Sequence, residues 1–359
     1  MGEGKHNIAE AGYPNLSVDR PSVTLEVEAG DVPPGWDDAL LADDGVVFHS
    51  EAWGTYKTAD GGGDPLFFQW RGQPGGEVVG RGLGIRRPPR GSRVGRVAAR
   101  ISFDAPPAGG VAADFVSPLA AWARKSPAVV EVELGSLGAV GSWGPGPLPR
   151  PMARCEYLVA PGTQDDLWSG VRQLARRKVK RAQKHGLQCR EARLPDELLA
   201  FAEVYRATEV RLSRTKDYVP DPGFDIDRFA ESLLGLIQRG CARLYGAYAG
   251  EGLEAGTVFT TFGRRAYMIY SAATDSGRAE GAPFLVMFTA LRELRDAGFE
   301  HLNLGGAASD AADPDSADHG LHLFKTRFGA APRPQISASL RARPMRARAI
   351  AGLRRLVRR

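Results

Sequence analysis

Three cysteines in 359 residues, Cys155, Cys189 and Cys241, are odd in number and too far apart for a disulfide framework or a zinc knuckle. The six histidines are scattered as well. His319 and His322 stand three apart, but no third ligand accompanies them, so no metal site is legible. No run approaches the roughly 20 apolar residues of a membrane span. The opening "MGEGKHNIAEAG" lacks the basic-then-apolar order of a secretory signal. These absences lead us to expect a soluble, cytoplasmic protein that holds no metal. The most informative absence is local: "RQLARRKVKRAQKHG" (172–186) contains no acid at all. It carries Arg172, Arg176, Arg177, Lys178, Lys180, Arg181 and Lys184.

What is present is ample. A hydrophobic content of 43% suffices for packed cores, and the length suggests two domains. The net charge of +5 is modest, but it is concentrated in the 172–186 stretch and in the tail "SLRARPMRARAIAGLRRLVRR" (339–359). Such runs attract the phosphates of nucleic acid or of a lipid surface. A third basic run, "RRPPRGSRVGRVAAR" (86–100), is broken by Pro and Gly and reads as a loop.

Periodicity divides the chain into two α/β units. Residues 1–20 lack a pattern and read as a flexible N-terminus. The first unit, 21–150, opens with the strand "VTLEVE" (23–28), followed by a short helix from a Ser50 cap, "SEAWGTYKTA" (50–59). "PLFFQWR", "EVVGRGLGIRR" and "AVVEVELG" read as strands, with a small-residue helix around 111–125. The Gly- and Pro-dense "GSWGPGPLPRP" (141–151) marks the boundary. The second unit, 151–338, starts with "RCEYLVA" and then one helix from about Thr163 to Gly186, whose Val171, Leu174, Ala175, Val179 and Ala182 face inward. After a strand and two amphipathic helices comes a three-strand meander (241–273). An apolar helix, "APFLVMFTALRELRDAG", the strand "FEHLNLGG" and the short helix "HGLHLFKTRFG" precede "PQISASL". Residues 339–359 read as a basic amphipathic C-terminal helix, suited to RNA or an anionic membrane surface.

The element order of the second unit resembles the Gcn5-related N-acyltransferase (GNAT) fold, α/β with a mixed sheet flanked by helices. In that fold a Gly-rich loop before the central helix holds a pyrophosphate. "RAEGAP" (278–283) lies there: Arg278 and Gly281 match the loop pattern, while Pro283 replaces its last small residue. A sharper resemblance is to the Fem-type aminoacyl-tRNA-dependent transferases, which contain two tandem GNAT-like domains. Their basic helix signature matches "RRKVKRAQKHG" (176–186), and their C-terminal signature matches "GLHLFKTRFG" (320–329). "FHSEAWGTYK" (48–57) is similar to their first-domain opening.

The resemblance implies an aminoacyltransferase that forms an amide on an amine-bearing peptide or small-molecule acceptor, acting as a monomer without a cofactor. It places Phe324, Lys325 and Tyr270 at the active site. The tRNA would be held by Arg172, Arg176, Arg177, Lys180, Arg181 and Lys184. Lys57 and Arg214 would hold phosphates of the acceptor. On a regular strand Tyr267 and Tyr270 face opposite sides, so only one of them can enter a cleft. An activated ester needs orientation and oxyanion stabilisation rather than a nucleophilic side chain, and no Ser–His–Asp or Cys–His set is evident. Two other readings stay open: an acyl-coenzyme A N-acyltransferase of the same fold, and a non-catalytic module binding RNA or membrane.

Overall fold

The computed structural model describes residues 23–343, apart from 74–75, 89–97, 110–112, 139–140, 145–146, 163, 215–219 and 222. The first half runs β1 (Val23–Ala29), α1 (Trp36–Ala42), a 3-10 turn (Val47–His49), α2 (Glu51–Gly61), β2 (Asp64–Gly72), β3 (Val78–Arg87), β4 (Ala99–Phe103), α3 (Val116–Lys125) and β5 (Val129–Leu134). The second runs β6 (Met152–Val159), α4 (Gln164–Gly170), α5 (Gln173–Lys184), β7 (Gln188–Ala192), α6 (Pro195–Ser213), α7 (Ile226–Gln238) and β8 (Ala242–Ala249). It continues with β9 (Gly252–Phe262), β10 (Arg265–Ala273), α8 (Asp275–Glu280), α9 (Ala282–Asp296), β11 (His301–Ala308), α10 (His319–Thr326) and β12 (Ala330–Arg341).

The twelve strands among the described residues form one mixed sheet in the order β1-β2-β3-β4-β5-β12-β6-β11-β10-β9-β8-β7. The last strand joins the halves. Ala330–Ser337 pair antiparallel with β6, and Ala338–Arg341 pair antiparallel with β5. The strand therefore passes the expected end of the second unit at 338, and residues 339–341 are strand rather than helix. The remainder of the proposed basic helix, from 344, lies outside the described residues, as does the N-terminal segment 1–20.

Packing explains the central strands. From Ala255 to Phe262 every residue of β9 is buried, because helices cover both faces. On one face α9 and α5 enclose Phe259, Leu285, Val286 and Leu291. On the other, α6 and α7 bring Phe201, Phe229 and Leu233 against Val258. That second core is shared: Trp36, Leu40, Phe48, Trp53 and Tyr56 of the first half belong to it. The halves thus meet through apolar contact, which strongly disfavours their separation in water.

Three local expectations need correction. The helix expected over 163–186 is two helices: α4 ends at Gly170, and Arg172 takes extended backbone before α5. Leu174, expected inside, is 44% exposed. The run 86–100, taken for a loop, contains the start of β4, whose Ile101 and Phe103 are buried. Small residues preceding that strand weakened its pattern.

Candidate active site

β10 and β11 run parallel and pair only from Arg265 to Tyr267 and from His301 to Asn303. Beyond those residues they continue unpaired with each other, while β11 shifts register against β6 between Asn303 and Gly306. Gly305 makes this departure feasible. Its φ is +74°, and a Cβ there would lie 2.9 Å from the Met268 carbonyl oxygen. The same point is 3.8 Å from both Lys325 Nζ and Tyr267 Oη. Where pairing between the two strands stops, Gly305 thus lies between a cation and a phenol.

A buried polar network stands beneath it. Glu156, 1% exposed, accepts from Tyr267 Oη at 2.8 Å and from Asn303 Nδ2 at 2.8 Å. The Gly138 amide of the first half also donates to it, at 3.3 Å. Asn303 Oδ1 in turn accepts the Gly305 amide at 2.8 Å, which fixes the strand where it turns away. Burial raises the Glu156 carboxyl above its ordinary range, against the opposing hydrogen bonds from Asn303 and Tyr267. Burial, then the neighbouring Glu156, pushes the Tyr267 phenol well up.

Lys325 lies in this network and is 1% exposed. Its Nζ donates to Gly306 O at 2.7 Å and sits 5.1 Å from the centre of the Tyr157 ring. Burial lowers its pKa to about 8, with Cys155, Glu156 and Asp318 acting in the opposite direction. Among residues proposed for catalysis, Phe324 occupies a packing position: its ring meets Phe284 at 5.1 Å and Phe328 at 5.3 Å, edge to face. The expected opposition of Tyr267 and Tyr270 does not hold. A bulge between Met268 and Tyr270 inserts one residue, which brings both tyrosines to the face shared with the first half. Tyr270 Oη bonds Tyr56 Oη at 2.6 Å.

The basic stretch divides by role. Arg177, Lys180, Arg181 and Lys184 are exposed on α5 and line one shallow surface with His185. Arg176 is spent on structure: its guanidinium donates to Val171 O at 2.6 Å and Ser169 O at 2.7 Å and lies over Trp168. Arg172 has an exposed side chain, while its amide donates to Arg327 O at 2.8 Å and ties α5 to the end of α10. The exposed cations flank the start of α9, because a Cβ on Gly281 would lie 2.8 Å from Lys178 O.

At that junction the loop amides are occupied from within. Gly277 N donates to Thr274 Oγ1, Arg278 N to Thr274 O and Gly281 N to Gly277 O, and Pro283 has no N–H. The Arg278 side chain is paired with Asp275. Anion recognition by backbone amides, which a pyrophosphate loop requires, thus finds few donors here. Lys57 pairs with Asp104 at 3.5 Å and lies over Trp53, whose indole N–H also donates to Asp104, at 2.8 Å. Arg214 is exposed at the end of α6.

Sequence reasoning missed Glu156, Asn303 and Asp104. Glu156 alone carried a signal, since a carboxylate between Cys155 and Tyr157 in an apolar strand needs donors to be tolerated when buried.

Residues 169–313 match the Acetyltransferase (GNAT) domain family. Among solved structures the chain is similar to FemX, with a TM-score of 0.62 at 15% identity, covering 86% of this chain and 96% of that one. The fold is GNAT-type. Similar too are L-PGS from Bacillus licheniformis, with a TM-score of 0.52 at 12% identity over 86% of this chain and 92% of that one. A conserved protein of unknown function from Bacteroides thetaiotaomicron gives 0.54 at 10% identity over 88% and 99%. No curated protein matches the sequence. No described helix is long and apolar enough to cross a membrane.

Proposed function

We propose that this protein is an aminoacyltransferase that takes an amino acid from aminoacyl-tRNA and joins it to the amine of a peptide or small-molecule acceptor. The observation that carries the reading is the α5 cation row beside an α8–α9 junction whose amides are already bonded. Side-chain cations spaced along a helix suit a polynucleotide, whereas the pyrophosphate of coenzyme A needs free loop amides.

In this reading the ester carbonyl enters the opening between β10 and β11. A neutral amine attacks it, the C–N bond forms, and the ester C–O bond breaks with the proton passing to the departing ribose hydroxyl. Charge develops on the carbonyl oxygen in between. The Lys325 ammonium, fixed on Gly306 O with two N–H groups to spare, stabilises it without reorganising. Glu156 and Asn303 hold Tyr267 and Gly305 in place.

Incubation with a pool of charged tRNA and candidate amines tests this by the appearance of amide-linked label. Replacing Arg177, Lys180 and Lys184 by Ala, with Arg176 left intact, weakens tRNA binding. It also reduces the slope of log affinity against log salt by about 2–3. An unchanged slope in the folded variant refutes the RNA role. Release of coenzyme A thiol from an acyl-coenzyme A, with no transfer from tRNA, establishes the other acyl donor.

A further inference from the structure

A cavity of about 180 Å3 lies where α2 of the first half meets α6, α7 and β10. Its apolar wall is aromatic. Tyr205 stacks on Phe229 at 5.2 Å, and Tyr270 stands edge-on to both at 5.1 Å. Four carboxylates line it, Asp60, Glu209, Asp221 and Asp225, against two guanidiniums.

Both guanidiniums are engaged with backbone. Arg206 donates to Asp221 O at 3.1 Å and lies over Phe224, and Arg228 donates to Ala59 O. Asp60 accepts no hydrogen bond from any described residue, although it is partly buried. Its nearest cations are also turned elsewhere: Lys57 to Asp104 at 3.5 Å, and Arg87 to the carbonyls of Gly62 and Lys57 at 2.7 and 2.9 Å. Tyr270 is held in that wall by the hydrogen bond between its Oη and Tyr56 Oη at 2.6 Å. The π faces of that wall and the donor-free Asp60 carboxylate attract cations.

We propose that this cavity seats a protonated aliphatic amine, with Asp60 as its counter-ion and the Tyr205 and Tyr270 rings against its methylenes. Resting on the aminoacyl transfer proposed above, this makes the acceptor an amine-rich cation, not a phosphorylated molecule. The seated ammonium is a second amine, distinct from the neutral one that attacks. The cavity and the strand opening are adjacent, because the β10 bulge sets Tyr270 and Tyr267 on one face.

Calorimetric titration of the full chain at low salt tests the assignment with 1,5-diaminopentane, the uncharged 1,5-pentanediol and inorganic pyrophosphate. The diamine binds at least about tenfold more tightly than the diol. Asp60→Asn removes at least about tenfold of that affinity, the loss expected for one charge-assisted hydrogen bond, with the melting temperature unchanged. If Asp60→Asn does not fold, Asp221→Asn, which keeps a side-chain oxygen for the Gly223 amide, lowers diamine affinity in the same direction. Equal affinity for diol and diamine overturns the proposal, as does wild-type diamine binding in the folded variant or displacement of the diamine by pyrophosphate. No tRNA enters this measurement. Asp60-dependent diamine binding without transfer from charged tRNA would overturn the aminoacyl reading while leaving the cation site standing.

Discussion

Lys325→Met separates a functional charge from a structural one. The side chain is 1% exposed, and burial lowers its pKa from 10.5 to about 8. One pKa unit corresponds to about 1.4 kcal/mol, so at pH 7 the ammonium makes folding about 3 kcal/mol less favourable than a neutral amine at the same place would. The unfolded chain binds the proton more tightly, so wild-type stability rises as pH increases from about 8 to 10.5. Met fills a similar volume and carries no charge, but it leaves the Gly306 carbonyl without its donor, at a cost of about 1–3 kcal/mol. At pH 7 the variant is therefore as stable as the wild type or modestly more so, and above pH 10.5 it is less stable. Urea unfolding of both proteins from pH 7 to 11 reads the difference directly, since the other titrating groups are shared. A change of about 3 kcal/mol in that difference is expected. A flat difference refutes the buried charge. In single-turnover transfer at saturating tRNA, removing the ammonium slows the chemical step by about 10²–10³. Wild-type rates in the Met variant would remove Lys325 from the active site.

His49 gives a second pH test: buried between Pro106 O at 2.7 Å and the Leu83 amide at 3.0 Å, it is lowered by burial from 6.5 to about 4. The folded state resists its protonation, so stability falls by up to about 3 kcal/mol from pH 6.5 to 4, and His49→Gln abolishes that part of the acid sensitivity in urea titrations. Gly305→Ala places a methyl group against Met268 O at a left-handed backbone position. It destabilises by about 1–3 kcal/mol, and a thermal midpoint equal to wild type would refute the constraint. A chain ending at Arg343 keeps β12 whole and loses part of its salt-dependent RNA affinity. Intact RNA affinity with lost association to anionic vesicles would assign the tail to membrane instead.

Legibility followed periodicity. Alternation located β1, β2, β3, β5 and β6, and helical spacing with its Ser50 cap located α2, whose Trp53 amide does donate to Ser50 Oγ at 3.1 Å. Those signals are local, so one chain carries them. The site is different in kind. Tyr267 and Tyr270 share a face because of a bulge, and no residue type in "AYMIYSAA" announces one. Glu156 gains its meaning from Tyr267 and Asn303, 111 and 147 residues away. Arg176 looked like any other cation in its run, but its guanidinium caps the end of a helix that periodicity had merged with its neighbour.

The placement of β12 constrains how the chain is made. A protein emerging from the ribosome usually completes its N-terminal domain first. Here neither half can finish its edge at the junction until Ala330–Arg341 has been synthesised, because that strand supplies the inner neighbour of both β5 and β6. During translation both halves hold open strand edges, which invite pairing with other chains. Folding of the whole sheet is thus deferred until that strand has been made. Translation halted before Ala330 would leave a chain with two exposed edges rather than one finished domain and one unfinished.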